Sequence, residues 1–337
     1  MLNNQDFTHN RGGFLGGSEI GAIVGVSKYR SAIDVWLEKT GKRVTTKNSL
    51  ALRFGSFAED FIASEYARHI ELPVVAHEGP MLHRDHRYLA GHIDRFVLPR
   101  SDVALFDDLG RLQATKLLEC KTANGFTQQE WGEPGTDAIP LPYLCQCLWY
   151  LELTQLPSID LAVLIGGSDF RIYTVEADRP LQQLLVEKAV HFWSEYVMKD
   201  CPPPPQSKSD CQALFARSTP SKSLEASEAT RALIAELQAL EDSISHEEER
   251  ISSIKQTIMQ TMADAETLTI EGKPIVTWKA PKSTTRIDTK RLSSEHPELV
   301  KHYQITAASA RRFVVKDWDV SISTQEAPIT NTAEVLV

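Results

Sequence analysis

The sequence predicts an α/β protein in which helices flank a mixed central sheet, followed by a long helix and a small β-containing appendage. Three observations predict this class. Amphipathic helical patterns open the chain, and short β-branched or apolar runs follow at residues 72–123 and 160–177. A long apolar segment, residues 142–156, separates the two groups of runs as a buried helix would. This alternation is typical of a sheet covered by helices.

The first 200 residues are predicted to form one domain. Residues 18–42 indicate two helices separated by a break at 25–29. Residues 50–70 indicate a third helix, whose mixed apolar face is predicted to contain Phe57, Phe61, Ile62, Ser64 and Tyr66. An amphipathic helix at 180–200 closes the domain after the last strands.

The remaining chain is predicted to hold four segments. Four consecutive prolines begin a linker at residues 201–223. Residues 224–265 indicate a long helix with a narrow apolar seam at steps of three and four, suited to a coiled coil or a groove. A helix packed on its own chain explains the seam equally well. Residues 266–326 form an appendage, with a hairpin at 267–280 and a strand at 311–316, and residues 327–337 form a tail.

Composition excludes several classes of protein. No apolar run is long enough to span a membrane, and the polar N-terminus does not resemble a signal peptide. Five scattered cysteines do not form a disulfide framework, which favours a reducing cytosol. The net charge of −9 argues against a protein that simply coats nucleic acid. Two basic regions, residues 1–56 and 272–316, could still face a polyanion, or could be ordinary solvated surface.

The segment KLLECKTA, residues 116–123, places opposite charges on a predicted strand. Residues two apart in a strand point to the same face, so Glu119 and Lys121 lie side by side, with Leu118 and Cys120 on the opposite, core-facing side. A surface strand with a simple ion pair is the alternative explanation.

A carboxylate cluster around this pair predicts a metal site. Asp94 interrupts another apolar run, GHIDRFV, and could meet Glu119 across a strand pair. Two adjacent carboxylates repel unless a divalent cation relieves the cost, and oxygen ligands suit Mg²⁺ or Mn²⁺ better than Zn²⁺. Glu59, on the third helix, could reach the cation directly or through water, with Asp60 as a competing candidate. Lys121 could orient a water and neutralise charge on a phosphate.

These residues resemble the PD-(D/E)XK nuclease signature, in HIDRFV and LLECKTA. The surrounding sequence resembles the YqaJ-like and lambda-type phage alkaline exonucleases, through GGSEIGAIVGVSKYRSAIDVWLEKTGK, FGSFAEDFI and PYLCQCLWYLELT. The likeness covers roughly residues 11–176. It departs at Ile93, where the family's signature often has proline before the first aspartate.

The resemblance implies roles for the central residues. Asp94 and Glu119 would be metal ligands, and the main-chain carbonyl of Cys120 would add a third. Lys121 would be the catalytic lysine, and Glu59 would support the metal shell.

The resemblance also implies DNA-holding residues. Gln146 and Tyr143, one helical turn apart, would face the site and hold the scissile strand or a water. Arg11 and Ser18 resemble residues that hold a terminal 5′-phosphate, and a helix N-terminus with a hydroxyl and a guanidinium suits an anion.

The function implied is a Mg²⁺-dependent deoxyribonuclease that digests double-stranded DNA from its ends, 5′→3′, in phage or prophage recombination. Relatives act as ring-shaped homo-oligomers, often trimers, and work with a single-strand annealing protein. Neither ATP nor an iron–sulfur cluster is expected, and the expected location is the cytoplasm of a bacterial or phage-infected cell. A structure- or sequence-specific endonuclease and a non-catalytic DNA-binding recombination scaffold are the alternatives.

Overall fold

The computed structural model describes residues 11–43, 50–282, 285–305 and 311–316, apart from the side chains of residues 11, 51 and 52. The chain divides into two compact units, residues 1–215 and 216–337. Within the described residues, no helix has the length and apolar character needed to cross a membrane.

A five-stranded mixed sheet is the centre of the first unit. Its strands lie in the order β1-β4-β5-β6-β7, and only the β5–β6 pair is parallel. A separate pair, β2–β3, lies outside this sheet. The strands are β1 (Val74–Val75), β2 (Met81–Leu82), β3 (Ala90–Gly91), β4 (Arg95–Val97), β5 (Lys116–Ala123), β6 (Ser158–Ile165) and β7 (Asp169–Glu176).

In the described part of the first unit, six helices accompany this sheet. They are α1 (Gly17–Ile23), α2 (Ala32–Lys39), α3 (Leu50–Ile70), α4 (Leu141–Thr154), α5 (Arg179–His191) and α6 (Lys208–Leu214). Short 3₁₀ turns cover Arg11–Gly13 and Gly125–Glu130, and a π-helical turn, Phe192–Val197, continues α5. The predicted α/β class, a mixed sheet flanked by helices, is therefore confirmed.

The parallel pairing of β5 with β6 follows from the helix between them. Parallel neighbours need a long crossover, and α4 supplies it. Pro142 lies in the first turn of α4, and Gln155, with a φ of 60°, ends the helix in the left-handed region. The part of α4 from Gln146 to Leu153 is buried, because it lies between the sheet and other helices.

The two faces of the sheet have different cores. The larger core contains residues of α1, α2, α4 and α5 together with Leu117, Leu161 and Val163. The smaller core lies under α3 and contains Leu118, Cys120 and Ala162. Strand β5 is thus buried on both faces, which rules out the surface-strand explanation for Glu119 and Lys121.

Two predictions for the first unit are wrong in detail. Phe57 and Phe61 are exposed on α3, and the buried face is instead formed by Ala58, Ile62, Ala63 and Tyr66. This helix carries two apolar stripes, and the stripe that contains Tyr66 is the one that packs on Leu118 and Ala162 of the sheet. The first unit also extends past residue 200, because α6 follows the prolines, packs against α2 and buries Asp210.

The second unit begins with α7 (Glu228–Met262), a helix of 35 residues that Ser227 caps through the backbone N–H of Thr230. The strands β8 (Thr267–Ile270) and β9 (Lys273–Thr277) form the predicted hairpin, and Glu271 and Gly272 both have positive φ at its turn. Two short helices, α8 (Thr289–Glu295) and α9 (Pro297–Tyr303), follow. The strand predicted at 311–316 is wrong, since that segment is irregular, and the predicted tail lies outside the described residues.

Candidate active site

Glu119 is the most deeply buried carboxylate of the site. It lies on β5, with a relative exposure of 1%, and faces the larger core beside Leu117. Its Oε1 atom accepts hydrogen bonds from the Lys121 amine and from the Gln146 amide, the latter at 2.8 Å. Its Oε2 atom is buried and has no hydrogen-bond partner among the residues that the structure describes. One oxygen of this carboxylate is therefore held in place while the other is left for a further ligand.

Asp94 joins Glu119 across the strand pair. Antiparallel pairing sets Arg95 opposite Leu118, so the continued register sets Asp94 level with Glu119 and on the same face. The Oδ2 atom of Asp94 accepts a hydrogen bond of 2.8 Å from the backbone N–H of Cys120. This bond ties the aspartate to the middle of β5, next to the predicted acid–lysine pair.

Helix α4 supplies the side chains that cover this pair. Gln146 donates to Glu119 and, at 2.9 Å, to the hydroxyl of Tyr150. The ring of Tyr143 lies 5.4 Å from the Lys121 amine and is stacked on Trp131. The structure thus brings both predicted helix residues, Gln146 and Tyr143, to the site.

Two glycines make room for the Tyr150 ring. A Cβ atom at Gly17 would lie 2.7 Å from this ring, and one at Gly91 would lie 2.8 Å from it. Any larger residue would displace Tyr150, whose hydroxyl holds the Gln146 amide. The close packing of three distant segments therefore orients the glutamine that orients Glu119.

The charges of the site are strongly coupled. Burial raises the pKa of Asp94, and the negative charge of Glu119 raises it further. Burial alone would lower the pKa of Lys121, but the charges of Glu119 and Asp94 outweigh that effect and raise it. The amine is therefore protonated at neutral pH. The two carboxylates lie in a buried environment where the presence of two negative charges is unfavourable.

Glu59 has a different partner from the one expected. Its carboxylate pairs with the guanidinium of Arg95 at 2.6 Å, and Asp60 pairs with the same guanidinium. Burial and the charge of Asp94 raise the pKa of Glu59. Glu59 thus lies within the electrostatic reach of the site, while its carboxylate is hydrogen-bonded to Arg95.

The residues of the site fit a divalent cation, although two carboxylates of the described chain, and not three, lie close enough to bind it directly. Across the described parts of the chain, no three His, Cys, Asp or Glu side chains form a group that could hold a metal. Direct coordination by Glu59 beside Asp94 and Glu119, one of the two expected routes, is therefore not found there, and the route through water stays a prediction. The donors that would hold it are the carboxylates of Asp94 and Glu119, with the carbonyl of Cys120 as the resemblance implies, an all-oxygen set that suits Mg²⁺, which commonly keeps several waters. The unpartnered Glu119 Oε2 is the observation that favours this fit.

A cavity of about 780 Å³ opens beside the site, lined among others by Lys121, Tyr143, Gln146, Trp131 and Ser18. Ser18 is exposed, in the first turn of α1. Arg11 begins a 3₁₀ turn, and its side chain lies outside the described residues. The structure therefore brings Ser18 to the cavity and does not describe the predicted Arg11–Ser18 pair.

Sequence reasoning missed three residues of this region. Arg95 immediately follows Asp94, so its side chain points to the opposite face of the sheet, toward the acids of α3. This alternation could have predicted the ion pair. Trp131 lies in an irregular connection with no periodic pattern. Tyr150 lies in an apolar helical segment typical of a core, although its position one turn after Gln146 places the two on one helix face.

Comparison with known proteins gives a family match to the N-terminal part of the chain. Residues 6–157 match the family model of the YqaJ-like viral recombinase domain. The chain is 26% identical over 310 residues to the uncharacterized protein YqaJ of Bacillus subtilis strain 168, covering 90% of this chain and 91% of that protein.

Two solved structures are also similar. One is the alkaline exonuclease LHK-Exo of Laribacter hongkongensis, at 15% identity and a TM-score of 0.44, covering 58% of this chain and 92% of that one. The other is a phage-related exonuclease of Haemophilus somnus 129PT, at 11% identity and a TM-score of 0.41, covering 56% and 95%. Residues 6–157 are therefore similar to the YqaJ-like viral recombinase domain, and the chain along most of its length is similar to the Bacillus relative.

Proposed function

We propose that the protein is a Mg²⁺-dependent deoxyribonuclease that digests double-stranded DNA from its ends, with 5′→3′ polarity, in phage or prophage recombination. The observation that carries this proposal is the buried, unpartnered Oε2 of Glu119, fixed beside Asp94 and Lys121. A buried polar atom without a partner is costly, so it favours a ligand that completes the site. The family match supports a nucleic-acid substrate.

In this proposal Asp94, Glu119 and the carbonyl of Cys120 hold the cation, and Glu59 supports it through water. When bound, Mg²⁺, or Mn²⁺ in its place, supplies a Lewis acid for the phosphate and lowers the pKa of a bound water. The reaction in question is phosphodiester hydrolysis.

Lys121 is the catalytic lysine of the proposal. Its amine stays protonated and is fixed by Glu119, so it can orient the attacking water and stabilise negative charge that develops on the phosphate. Burial of this amine beside the cavity makes the interaction stronger than it would be in bulk water.

Gln146 and Tyr143 are proposed to hold the scissile strand or the water from the wall of the cavity. Arg11 and Ser18 are proposed to receive a terminal 5′-phosphate at the start of α1. A preference for phosphorylated 5′-ends is the consequence. Assembly into a ring-shaped homo-oligomer such as a trimer, work with a single-strand annealing protein, and a cytoplasmic location stay predictions.

The test is digestion of linear duplex DNA with 5′-phosphate or 5′-hydroxyl ends, with Mg²⁺, by the wild-type protein and Lys121→Ala. Loss of a preorganised electrostatic group of this kind costs about 2.7–4 kcal/mol of transition-state stabilisation, or roughly 100- to 1,000-fold in rate. Equal rates for the two proteins would defeat the assignment.

Closed circular duplex DNA, which has no ends, is the control substrate for the linear duplex. An end-dependent enzyme leaves it intact, whereas cleavage of the circle would indicate an endonuclease. No cleavage of either substrate by the wild type would favour a non-catalytic scaffold.

A further inference from the structure

Helix α7 carries an apolar seam on an exposed face. The seam consists of Leu233, Leu237, Leu240, Ile244, Ile251, Ile254 and Ile258. Five of these side chains are 49–65% exposed: Leu233, Leu240, Ile244, Ile251 and Ile254. The amide of Gln238 donates to the carbonyl of Lys316 at 3.5 Å, so segment 311–316 contacts α7 beside the seam and leaves those five residues uncovered.

The seam has the period of a coiled coil. Its residues follow one another at alternating steps of four and three, and Glu247 occupies the one interrupted position. A strict seven-residue repeat means 3.5 residues per turn, which keeps the seam facing a partner helix along a left-handed supercoil. A helix of this length spans about 52 Å. In heptad terms, Leu237, Ile244, Ile251 and Ile258 take position a, and Leu233, Leu240, Glu247 and Ile254 take position d.

We propose that α7 pairs with α7 of a second copy of this chain, in antiparallel orientation. The charged residues beside the seam decide between orientations, because positions e and g set the partner and direction of a coiled coil. Glu236 and Arg250 take position g, and Glu241 and Lys255 take position e.

A parallel, in-register pair is opposed by its charges. Each g residue then meets the e residue of the next heptad, so Glu236 meets Glu241 and Arg250 meets Lys255. The two copies of Glu247 also face each other in one core layer. Like charges in such pairs are destabilising, and the same conflict holds for a parallel trimer.

An antiparallel pair removes these conflicts. It sets Leu233 level with Ile258, Leu237 with Ile254, and Leu240 with Ile251, so every one of these core layers is apolar.

The central layers then contain Ile244 beside Glu247 of the second copy, and the two glutamates no longer meet. Glu247 is also within 3.9 Å of Arg250 in its own helix.

The flanking charges become complementary in this orientation. Position g now meets g, and e meets e, so Arg250 can reach Glu236 and Lys255 can reach Glu241 of the second copy. One unfavourable contact remains, because the same spacing sets Glu248, also at position e, against Glu248 of the second copy. Most charged residues of α7 up to Glu249 are acidic, whereas the charged residues beyond it are Arg250 and Lys255. The antiparallel orientation therefore sets the acidic part of one helix beside the basic part of the other.

The first test measures the mass of the full chain in solution by light scattering. Ile251→Asp places a charge in a core layer and is expected to halve the wild-type mass. Ser252→Asp adds the same side chain one residue away, on the outward surface, and is expected to leave the mass unchanged. A monomeric wild type, or an Ile251→Asp variant with the wild-type mass, would overturn the proposal.

The second test measures orientation. In a background with the exposed Cys201 and Cys211 changed to serine, differently tagged Leu237→Cys and Ile254→Cys chains are co-expressed and oxidised. The antiparallel pair predicts disulfides between the two variants, and none when Leu237→Cys is expressed alone. Disulfides of Leu237→Cys with itself would indicate a parallel pair and contradict the proposal.

Discussion

A lysine of β5 pairs with a buried acid on each face of the central sheet, and the two pairs differ in how many of the acid's oxygens have hydrogen-bond partners. On the face under α3, Asp160 of β6 accepts from Lys116, Tyr66 and Thr174, at distances of 2.6–3.1 Å. On the face under α4, Glu119 accepts from Lys121 and Gln146 through one oxygen only. Both acids are almost inaccessible to solvent.

The difference indicates which pair is structural and which is available for chemistry. Every carboxylate oxygen of Asp160 has a protein partner, so nothing is left for a ligand to satisfy. Glu119 instead retains an unpartnered oxygen, a second carboxylate as neighbour, and a cavity beside its lysine. An unpartnered buried oxygen beside a second carboxylate destabilises the folded state, and such unfavourable arrangements are often found at functional sites.

The largest expected effect is on the satisfied pair. Asp160→Ala leaves Lys116 and the Tyr66 hydroxyl without their acceptor, and breaking a buried pair costs about 3–5 kcal/mol. Urea unfolding followed by circular dichroism measures this loss. Arg68→Ala breaks the exposed pair with Glu65 and should change the stability by less than about 1 kcal/mol. If both variants unfold alike, Asp160 is not the structural residue described here.

The second largest expected effect is that of Gln146→Leu on the activity of the site formed by Glu119 and Lys121. The change removes the donor that orients Glu119, and loss of such a supporting contact costs about 10- to 100-fold in activity or metal affinity. Single-turnover digestion of linear duplex measures it. Gln182→Leu is the matched control, because Gln182 is also a buried helical glutamine but neither of its amide atoms has a partner. An equal loss in both variants would mean that Gln146 acts through packing alone.

The smallest effect concerns stability without a cation. The raised pKa of Asp94 means that the folded protein binds a proton more readily than the unfolded chain. Stability therefore falls as pH rises from the ordinary aspartate pKa, about 4, through the raised value. Asp94→Asn removes this cost, and its carbonyl can still accept from Cys120.

We expect Asp94→Asn to be more stable than the wild type by about 1 kcal/mol at pH 8 in EDTA, within the range of stabilising substitutions at functional sites. Denaturant unfolding at pH 5 and pH 8 measures both the gain and its pH dependence. A variant less stable than the wild type at pH 8 would contradict the electrostatic account of the site.

The strands and the site's face could be predicted because their signals are local. Alternation along LLECKTA assigns Glu119 and Lys121 to one face from sequence alone, and the crossover helix between β5 and β6 was visible as an apolar segment. Asp94 could be placed near Glu119 because neighbouring strands bring it there.

What could not be predicted depends on contacts between distant segments. Tyr150 is oriented by Gly17 and Gly91, and neither glycine lies in a pattern that signals this contact. The buried stripe of α3 was misassigned because helical periodicity cannot tell which of two apolar stripes meets the sheet. Arg95 diverts Glu59 from the carboxylate pair, and a sequence does not reveal such competition between partners.

The central claim is that Asp94 and Glu119 together hold a divalent cation. Thermal unfolding in EDTA and in increasing Mg²⁺ tests it most directly, since a ligand that binds only the folded state raises Tm. The account predicts a rise for the wild type and for Lys116→Arg, and no rise for Asp94→Asn or Glu119→Gln. An equal rise in all four proteins, or none in the wild type, would contradict it.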